Sequence, residues 1–337
     1  MMTDRTDTMP AFNSSDPAIR ATSPRMWQAA WRQHRFWVGG IVALVATGGL
    51  ALAAIVLLIP SCASTTWWET PGATCEVEPA RTLWGLYQLA LLFLPLVAGA
   101  VLGAVTFGPD KEHRTHIYAL TQSVTRTRWW TIKVLTVAAP GFIAAALLGI
   151  ATLWIVDGAS DSIIWAPRLT WPGFDILALI PATRFLVAFA AAAAAALLWR
   201  TVGGVVTGMV VAGVVVAGTT LLQPLVVQHT RELIPIQTWW NDRSGYATES
   251  PGGMSSAYNW GGYADSEGRN VDMSTLSCPE NTIPVDCMQE AGVVYRVEIY
   301  VPDSEYPQMM LIVSGLNLII AVSLLAAGAQ TLRRRDL

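Results

Sequence analysis

The fold of this chain is decided by apolar runs such as residues 203–226, which read GGVVTGMVVAGVVVAGTTLLQPLV and contain no charged side chain. A bilayer core about 30 Å thick is crossed by roughly 20 apolar residues in a helix, so this run is long enough to span a membrane. The other runs of this kind are Val38–Ile59, Leu83–Phe107, Val134–Val156 and Gln308–Gln330, together with Ile176–Leu198, which holds one arginine. The sequence therefore predicts an all-α polytopic membrane protein with six transmembrane helices.

The composition and the charge distribution agree with a membrane protein. The 337 residues are 53% hydrophobic and 13% charged, whereas soluble domains carry nearer a quarter charged residues. Fourteen of the 21 lysines and arginines fall in the two terminal segments and the loops of one side, and six fall on the other side. Basic loops stay in the cytoplasm, so both termini are expected there. No stretch forms a continuous basic groove, which excludes a nucleic-acid partner.

The spans divide the chain into four predicted regions. Residues 1–22 are polar and form a disordered cytoplasmic tail, residues 23–227 hold the first five spans, residues 228–307 form an extracellular domain, and residues 308–337 hold the sixth span and a cytoplasmic tail.

A short helix is predicted ahead of the first span. Ser23 and Pro24 form a helix start, and Trp27 and Trp31 lie four residues apart on one face with arginines on the other. This pattern is typical of an interfacial elbow helix that lies in the headgroup plane. The alternative is a plain cytoplasmic extension of the first span.

The extracellular domain between spans five and six is predicted to contain some β-structure. Residues 293–301 alternate and are rich in β-branched side chains, which indicates a strand. All four cysteines fall in predicted external loops, as the pairs Cys62 with Cys75 and Cys278 with Cys287. An oxidising exterior favours two local disulfides, the second of which would staple the small domain. Free thiols are the alternative, and a metal site is less favoured because no histidine or second pair lies near either pair.

Catalytic motifs are missing from the sequence. No His-Glu-x-x-His, Gly-x-Ser-x-Gly or Gly-x-x-x-x-Gly-Lys-[Ser/Thr] pattern occurs, so the chain is not expected to be an enzyme, to hydrolyse ATP or to hold a cofactor. No aspartate or glutamate lies inside a predicted span, although an ion-coupled carrier would keep an acid there. The sequence therefore argues against self-powered transport.

Two polar residues inside the spans are candidates for a substrate pathway. Arg184 lies in the fourth span, where snorkelling to the outer headgroups is favoured over contact with an anionic group of a substrate. Asn317 lies near the middle of the sixth span, where an interhelical hydrogen bond is favoured over a substrate contact. Gly204 and Gly208 in the fifth span have the spacing of close helix contacts, although membrane helices are also rich in glycine generally.

The loop between the second and third spans carries the most specific pattern. Pro109 and the acids after it, followed by bases, indicate a helix start, and the segment re-enters the membrane through Trp129 and Trp130. This loop resembles the first cytoplasmic loop of permeases of the type-2 ABC exporter class from actinobacteria, the high-GC Gram-positive bacteria. The positions that match are Glu112, Thr115, Ala119, Thr121, Gln122, Ser123, Val124, Arg126, Arg128 and Trp129.

Two further stretches are similar to the same family. They are the end of the fourth span at 197–202 and the close of the chain, where 300–304 precede a last span that ends in arginines at 333–335. Arg114 and Leu120 depart from the family pattern, which has Gly and Trp there.

The resemblance implies a membrane-spanning permease subunit in a bacterial plasma membrane, which exports an amphipathic substrate such as a drug, an antibiotic peptide or a lipid-like molecule. Residues 109–122 would be a coupling helix that docks into a separate ATPase subunit, which carries the ATP and Mg²⁺. The coupling residues would be Glu112, Thr115, Tyr118, Thr121 and Gln122. A second permease chain would complete the complex. The alternative is a non-transporting receptor or scaffold that senses a ligand through its extracellular domain.

Overall fold

The structure is a computed structural model, and it describes residues 23–58, 78–112, 125–158, 172–226, 230–236, 259–272, 284–300 and 305–334. Its helices are α1 (Ser23–Leu58), α2 (Glu78–Glu112), α3 (Arg126–Gly158), α4 (Gly173–Ile176), α5 (Ile180–Val226), α6 (Pro284–Glu290) and α7 (Glu305–Arg334). Its strands are β1 (Thr230–Pro235), β2 (Asn259–Ala264), β3 (Asn270–Val271) and β4 (Tyr295–Tyr300). The predicted tail at 1–22 and most of the first external loop lie outside the described residues.

Helix α1 is one continuous helix of 36 residues, and this corrects the prediction of a separate elbow helix. At 1.5 Å per residue it is about 54 Å long, well beyond the thickness of a bilayer core. No proline follows Pro24 within it, and the helix continues through Gly39 and Gly40 although glycine is a weak helix former. The alternative of a plain extension of the first span therefore describes this helix better than a separate elbow does.

Five helices in the described part of the chain are long and apolar enough to cross a membrane: α1, α2, α3, α5 and α7. Helix α5 contains both the fourth and the fifth predicted spans. Its backbone leaves the helical region at Trp199 (φ −121°, ψ 17°) and Arg200 (φ 68°, ψ −176°), within the turn expected between those two spans. We call residues 180–198 the first arm and residues 201–226 the second arm.

The two arms of α5 fold back on each other. A methyl group at Gly204 would lie 2.9 Å from the Cβ of Ala196, and one at Gly208 would lie 2.8 Å from the Cβ of Ala192. In an unbroken helix, residues 192 and 208 would be about 24 Å apart. The sequence proposed close helix contact at these two glycines, and the structure confirms it.

Helix α2 packs against both arms through small residues. Gly99 and Gly103 face Ala188 and Ala192 of the first arm, where a methyl group on either glycine would lie 3.0 Å from the alanine Cβ. The residue numbers rise together in this pairing, so α2 runs parallel to the first arm.

The second arm meets α2 in the opposite sense. A methyl group at Gly208 would lie 3.0 Å from the Cβ of Ala100, and one at Gly204 would lie 3.0 Å from the Cβ of Ala104. The residue numbers now run in opposite directions, as an antiparallel contact requires. Small residues allow such close backbone approach, which drives packing where the hydrophobic effect is weak.

A small antiparallel sheet lies between α5 and α7, in the order β1-β4-β2-β3. Strand β4 falls within the strand predicted at 293–301. The central strands β2 and β4 are offset by a bulge between Trp260 and Gly262, whose φ of 94° is accessible to glycine. Ile236, Tyr263 and Val293 form a small core beside the sheet.

Candidate functional site

A buried ion pair joins the short helix α4 to the start of α5. Arg184 on the first arm of α5 donates a hydrogen bond from Nη2 to Oδ1 of Asp175 at 2.7 Å, and a longer one to Oγ1 of Thr219 on the second arm at 3.3 Å. The side chains of Arg184 and Asp175 are 2% and 5% exposed. This corrects the expectation that Arg184 snorkels to the outer headgroups, because the arginine finds its counter-charge inside the protein.

Asp175 reaches the interior because the chain does not enter α5 as a regular helix. The short α4 is followed by Leu177 in an extended conformation and Ala178 with a φ of 54°. The N–H of Ala178 donates to the carbonyl of Gly149 on α3 at 2.9 Å. A side chain at Gly149 would meet the Ala178 backbone, so only glycine allows this contact. Irregular backbone of this kind is tolerated at membrane depth when protein surrounds it, and residues 173–178 are all buried.

Asn317 on α7 joins the same region of the interior. Its Nδ2 donates to Oγ1 of Thr183 at 3.1 Å, and Thr183 is the neighbour of Arg184 on the first arm. Asn317 is fully buried, and Ser314 lies one turn before it on α7 and is 5% exposed. The structure thus contains the interhelical hydrogen bond that the sequence favoured for Asn317.

We call Asp175, Thr183, Arg184, Thr219, Ser314 and Asn317 the interior polar cluster. Several of its buried atoms make no hydrogen bond to any residue in the described ranges: Arg184 Nε and Nη1, Asp175 Oδ2, Asn317 Oδ1 and Ser314 Oγ. They include both donors and acceptors. Because the arginine is paired with an aspartate, the cluster has no net charge, and its chemistry suits a neutral hydrogen-bonding group better than an anion.

Asp175 is a site residue that the sequence did not predict. The residue stands one position before the predicted fourth span, so it counted as part of an external loop. The signal that could have found it is the pairing of a lone intramembrane arginine with the nearest acid, because a buried charge requires a partner.

A second group of contacts lies where α2 ends, α3 begins and α5 turns. Lys133 on α3, whose side chain is 8% exposed, forms an ion pair with Asp110 on α2 and lies 4.8 Å above the ring of Trp129. The sequence had indicated the start of a new helix at Pro109. In the structure, residues 109–112 instead form the last turn of α2. An ion pair between α2 and α3 therefore holds the two ends of the loop that joins them.

Glu112 is the one predicted coupling residue within the described ranges. Its Oε1 accepts a hydrogen bond from the backbone N–H of Thr201 at 3.0 Å, at the turn of α5. Thr115, Tyr118, Thr121 and Gln122 lie outside the described residues. Just beyond the loop, Arg126 donates from Nη1 to the carbonyl of Leu332 near the end of α7 at 3.0 Å.

The remaining predicted site residues are the cysteines. Cys287 is 8% exposed and lies in α6, beside the small sheet. Cys62, Cys75 and Cys278 lie outside the described residues, so the two disulfides stay predictions. Within the described ranges, no group of three or more histidine, cysteine, aspartate or glutamate side chains is arranged to hold a metal ion.

Comparison with known proteins agrees with a transporter subunit. A family model described as "ABC-2 membrane transporter related" matches residues 36–228, which is more than half of the chain. The match begins within α1 and ends just after α5, so it includes the ion pair of Arg184, the ion pair of Lys133 and the turn at Arg200. No curated protein and no solved structure matches the chain. With its long apolar helices, this multi-pass membrane protein therefore belongs to the ABC-2 membrane transporter related family, whose members are permease components of ABC transporters.

Proposed function

We propose that the chain is the membrane-spanning subunit of an ATP-driven exporter, which moves an amphipathic molecule such as a drug, an antibiotic peptide or a lipid-like compound out of the cell. The observation that carries this proposal is the family match over residues 36–228. ATP and Mg²⁺ bind a separate ATPase subunit, since this sequence has no phosphate-binding loop. Two permease chains and two ATPase subunits form the complex.

The proposed topology has six membrane crossings with both termini in the cytoplasm. The folded-back form of α5 supports this count, because each arm is long enough for one crossing. The positions of the basic residues support the orientation, because basic residues are enriched on the cytoplasmic side. In this topology that side holds the α5 turn with Arg200, the start of α3 with Arg126 and Lys133, and the end of α7 with Arg333. The small sheet lies on the other side, in an extracellular domain at 228–307 stapled by Cys278 and Cys287, and Cys62 pairs with Cys75.

The coupling segment is residues 109–122, as the resemblance to type-2 permeases implies. Its first residues end α2, and α3 begins four residues after its end. In the proposed orientation the segment faces the cytoplasm, where an ATPase subunit can reach it. Thr115, Tyr118, Thr121 and Gln122 would contact that subunit.

The interior polar cluster is the proposed polar part of the substrate pathway. It lies between α4, both arms of α5 and α7. It offers donors on Arg184 and acceptors on Asp175 and Asn317 that no described residue uses. An anionic group approaching Arg184 would be repelled by Asp175 at 2.7 Å. An uncharged polar group, such as an amide or a hydroxyl of an otherwise apolar substrate, satisfies both kinds of atom.

Co-purification tests the proposed function. The native chain is solubilised from its own membrane and isolated, and the proteins that accompany it are identified by mass spectrometry and assayed for ATP hydrolysis. We expect a phosphate-loop ATPase with the native chain and its loss with Tyr118→Ala and Gln122→Ala combined. The matched control is Leu311→Ala, which changes a side chain 65% exposed on the apolar surface of α7. A chain that co-purifies with no ATPase, or with a kinase, contradicts the proposal.

A further inference from the structure

The turn of α5 leaves the first amide of the second arm in need of an acceptor. The first N–H groups of a helix have no partner within that helix, and the backbone at Trp199 and Arg200 is not helical. The carboxylate of Glu112 supplies the acceptor for Thr201 from another helix, at 3.0 Å. Glu112 therefore acts as a cap on the second arm, although 89 residues separate the two positions.

The last turn of α2 also packs closely against the backbone of the α5 turn. A methyl group at Gly108 would lie 2.8 Å from both the Cα and the Cβ of Thr201, so the two backbones approach as closely as glycine allows. A carboxylate near the start of a helix also interacts favourably with the helix dipole. The contact between α2 and the α5 turn thus combines close packing, a hydrogen bond and an electrostatic attraction.

The other end of the same loop is attached to α7. Arg126 is the first residue of α3, and its guanidinium donates to the carbonyl of Leu332 at 3.0 Å. Carbonyl groups in the last turn of a helix lack partners within the helix, and a cation is favoured at that end. Trp130, one turn further along α3, packs on Gly328 of α7, where a methyl group would lie 2.9 Å from its ring.

We infer that Glu112 and Arg126 are positioning residues, which tie the last turn of α2 and the start of α3, on either side of the loop that contains the coupling segment, to the α5 turn and to the end of α7. A displacement of this segment is then carried to the two helices that hold Arg184, Thr219 and Asn317. This inference rests on the proposed function, because it takes an ATPase subunit as the source of the displacement. It also changes the predicted role of Glu112, which acts within the chain and not as a contact for the ATPase.

Two variants of Glu112 separate these roles. Glu112→Gln keeps an oxygen acceptor for Thr201 and removes the charge, whereas Glu112→Ala removes the acceptor. In the isolated chain in lipid nanodiscs, hydrogen exchange of the peptide that contains Thr201 is expected to be about three- to tenfold faster for Glu112→Ala and within about twofold of native for Glu112→Gln. This hydrogen-exchange measurement needs no partner subunit.

The same variants are compared in the complex with the co-purified ATPase. We expect all of them to retain the ATPase, because Glu112 is not part of that interface. ATP hydrolysis by the Glu112→Ala complex should fall about fivefold or more, because the hydrogen bond to Thr201 is lost. Glu112→Gln should recover most of the activity, because it restores that hydrogen bond. Arg126→Ala and Arg126→Lys should behave in the same way, with faster exchange at the end of α7 for the alanine variant.

Three outcomes overturn the inference. The first is loss of the ATPase from both Glu112 variants with unchanged exchange, which makes Glu112 a contact for the partner. The second is faster exchange in Glu112→Ala with native hydrolysis, which makes the tie irrelevant to coupling. The third is native exchange in Glu112→Ala. If the native chain itself co-purifies with no ATPase, the proposed function fails, while the exchange experiment still tests the hydrogen bond.

Discussion

The guanidinium of Arg184 and the carboxylate of Asp175 form an ion pair of 2.7 Å inside the protein, with no more than 5% of either side chain exposed. The pair joins the irregular segment before α5 to the first arm of that helix. Thr219 extends the contact to the second arm. Other buried polar atoms of both groups have no hydrogen-bond partner among the residues that the structure describes. This is costly unless a ligand or a change of conformation provides one.

Removing one partner of this pair should destabilise the protein strongly. Asp175→Ala leaves Arg184 as an uncompensated buried charge, at a cost of about 3–5 kcal/mol, whereas Asp175→Leu combined with Arg184→Met removes both charges and should be far less damaging. The measurement is the midpoint of thermal aggregation in detergent, followed by fluorescence-detected gel filtration. Equal midpoints for Asp175→Ala and the native chain would contradict the ion pair.

An added methyl group should destabilise the protein at a glycine in the contact between α2 and α5, and should not do so at a glycine outside that contact. In Gly103→Ala the new methyl meets the carbonyl oxygen of Phe189 and lies 3.1 Å from the backbone nitrogen of Ala193, which overpacks the contact at a cost of about 1–3 kcal/mol. The matched control is Gly213→Ala, where nothing lies within 4 Å and helix propensity favours alanine by about 1 kcal/mol. Thermal stability in detergent distinguishes the two. If Gly103→Ala proved as stable as Gly213→Ala, the close packing of α2 on α5 would be ruled out.

The turn of α5 stores backbone strain at Arg200, whose φ of 68° and ψ of −176° are usual only for glycine. Such a residue costs about 1–3 kcal/mol. Arg200→Gly and Arg200→Ala both remove the positive charge, but only glycine removes the strain, so the glycine variant should be the more stable by that amount. Comparison of their thermal midpoints isolates the strain from the charge. A glycine variant no more stable than the alanine variant would show that the turn is unstrained.

The turn between β2 and β3 should depend on pH through Asp265. This carboxylate accepts hydrogen bonds from the backbone N–H of Arg269 at 3.0 Å, from Nε of Arg269 at 2.9 Å and from the N–H of Glu267 at 2.8 Å. These bonds, led by the one from the Arg269 backbone, hold the pKa of Asp265 below its usual value of 3.8.

A lowered pKa in the folded state means that the ionised carboxylate stabilises the turn at neutral pH. The contribution is complete above the unfolded value of 3.8 and is lost as the pH falls through the lower folded value. Amide exchange of the peptide 265–270, corrected for the intrinsic rate, should therefore accelerate in that acid range in the native chain. Asp265→Asn should lack the acceleration, and a native chain that also lacked it would argue against the carboxylate as the acceptor.

Much of the architecture follows from local composition. The apolar runs predict the long helices because a helix satisfies its own backbone hydrogen bonds, so membrane spans depend little on distant parts of the chain. The same holds for the turn at Trp199 and Arg200, for the glycine contacts of 204 and 208 and for the strand at 295–300, each of which has a signal within a few residues.

Tertiary structure decided the contacts between distant segments. Asp175 enters the interior because Gly149 on α3 receives the broken backbone at Ala178, and Glu112 caps Thr201 because Gly108 lets α2 approach the α5 turn. Helix α1 runs on through its predicted elbow, since no proline interrupts it after Pro24 and the glycine pair at 39 and 40 does not end it. The sequence by itself determined which segments are helices and where they are apolar. Only the packing of those helices decided which charges meet, since a counter-charge is chosen by distance in space and not by separation along the chain.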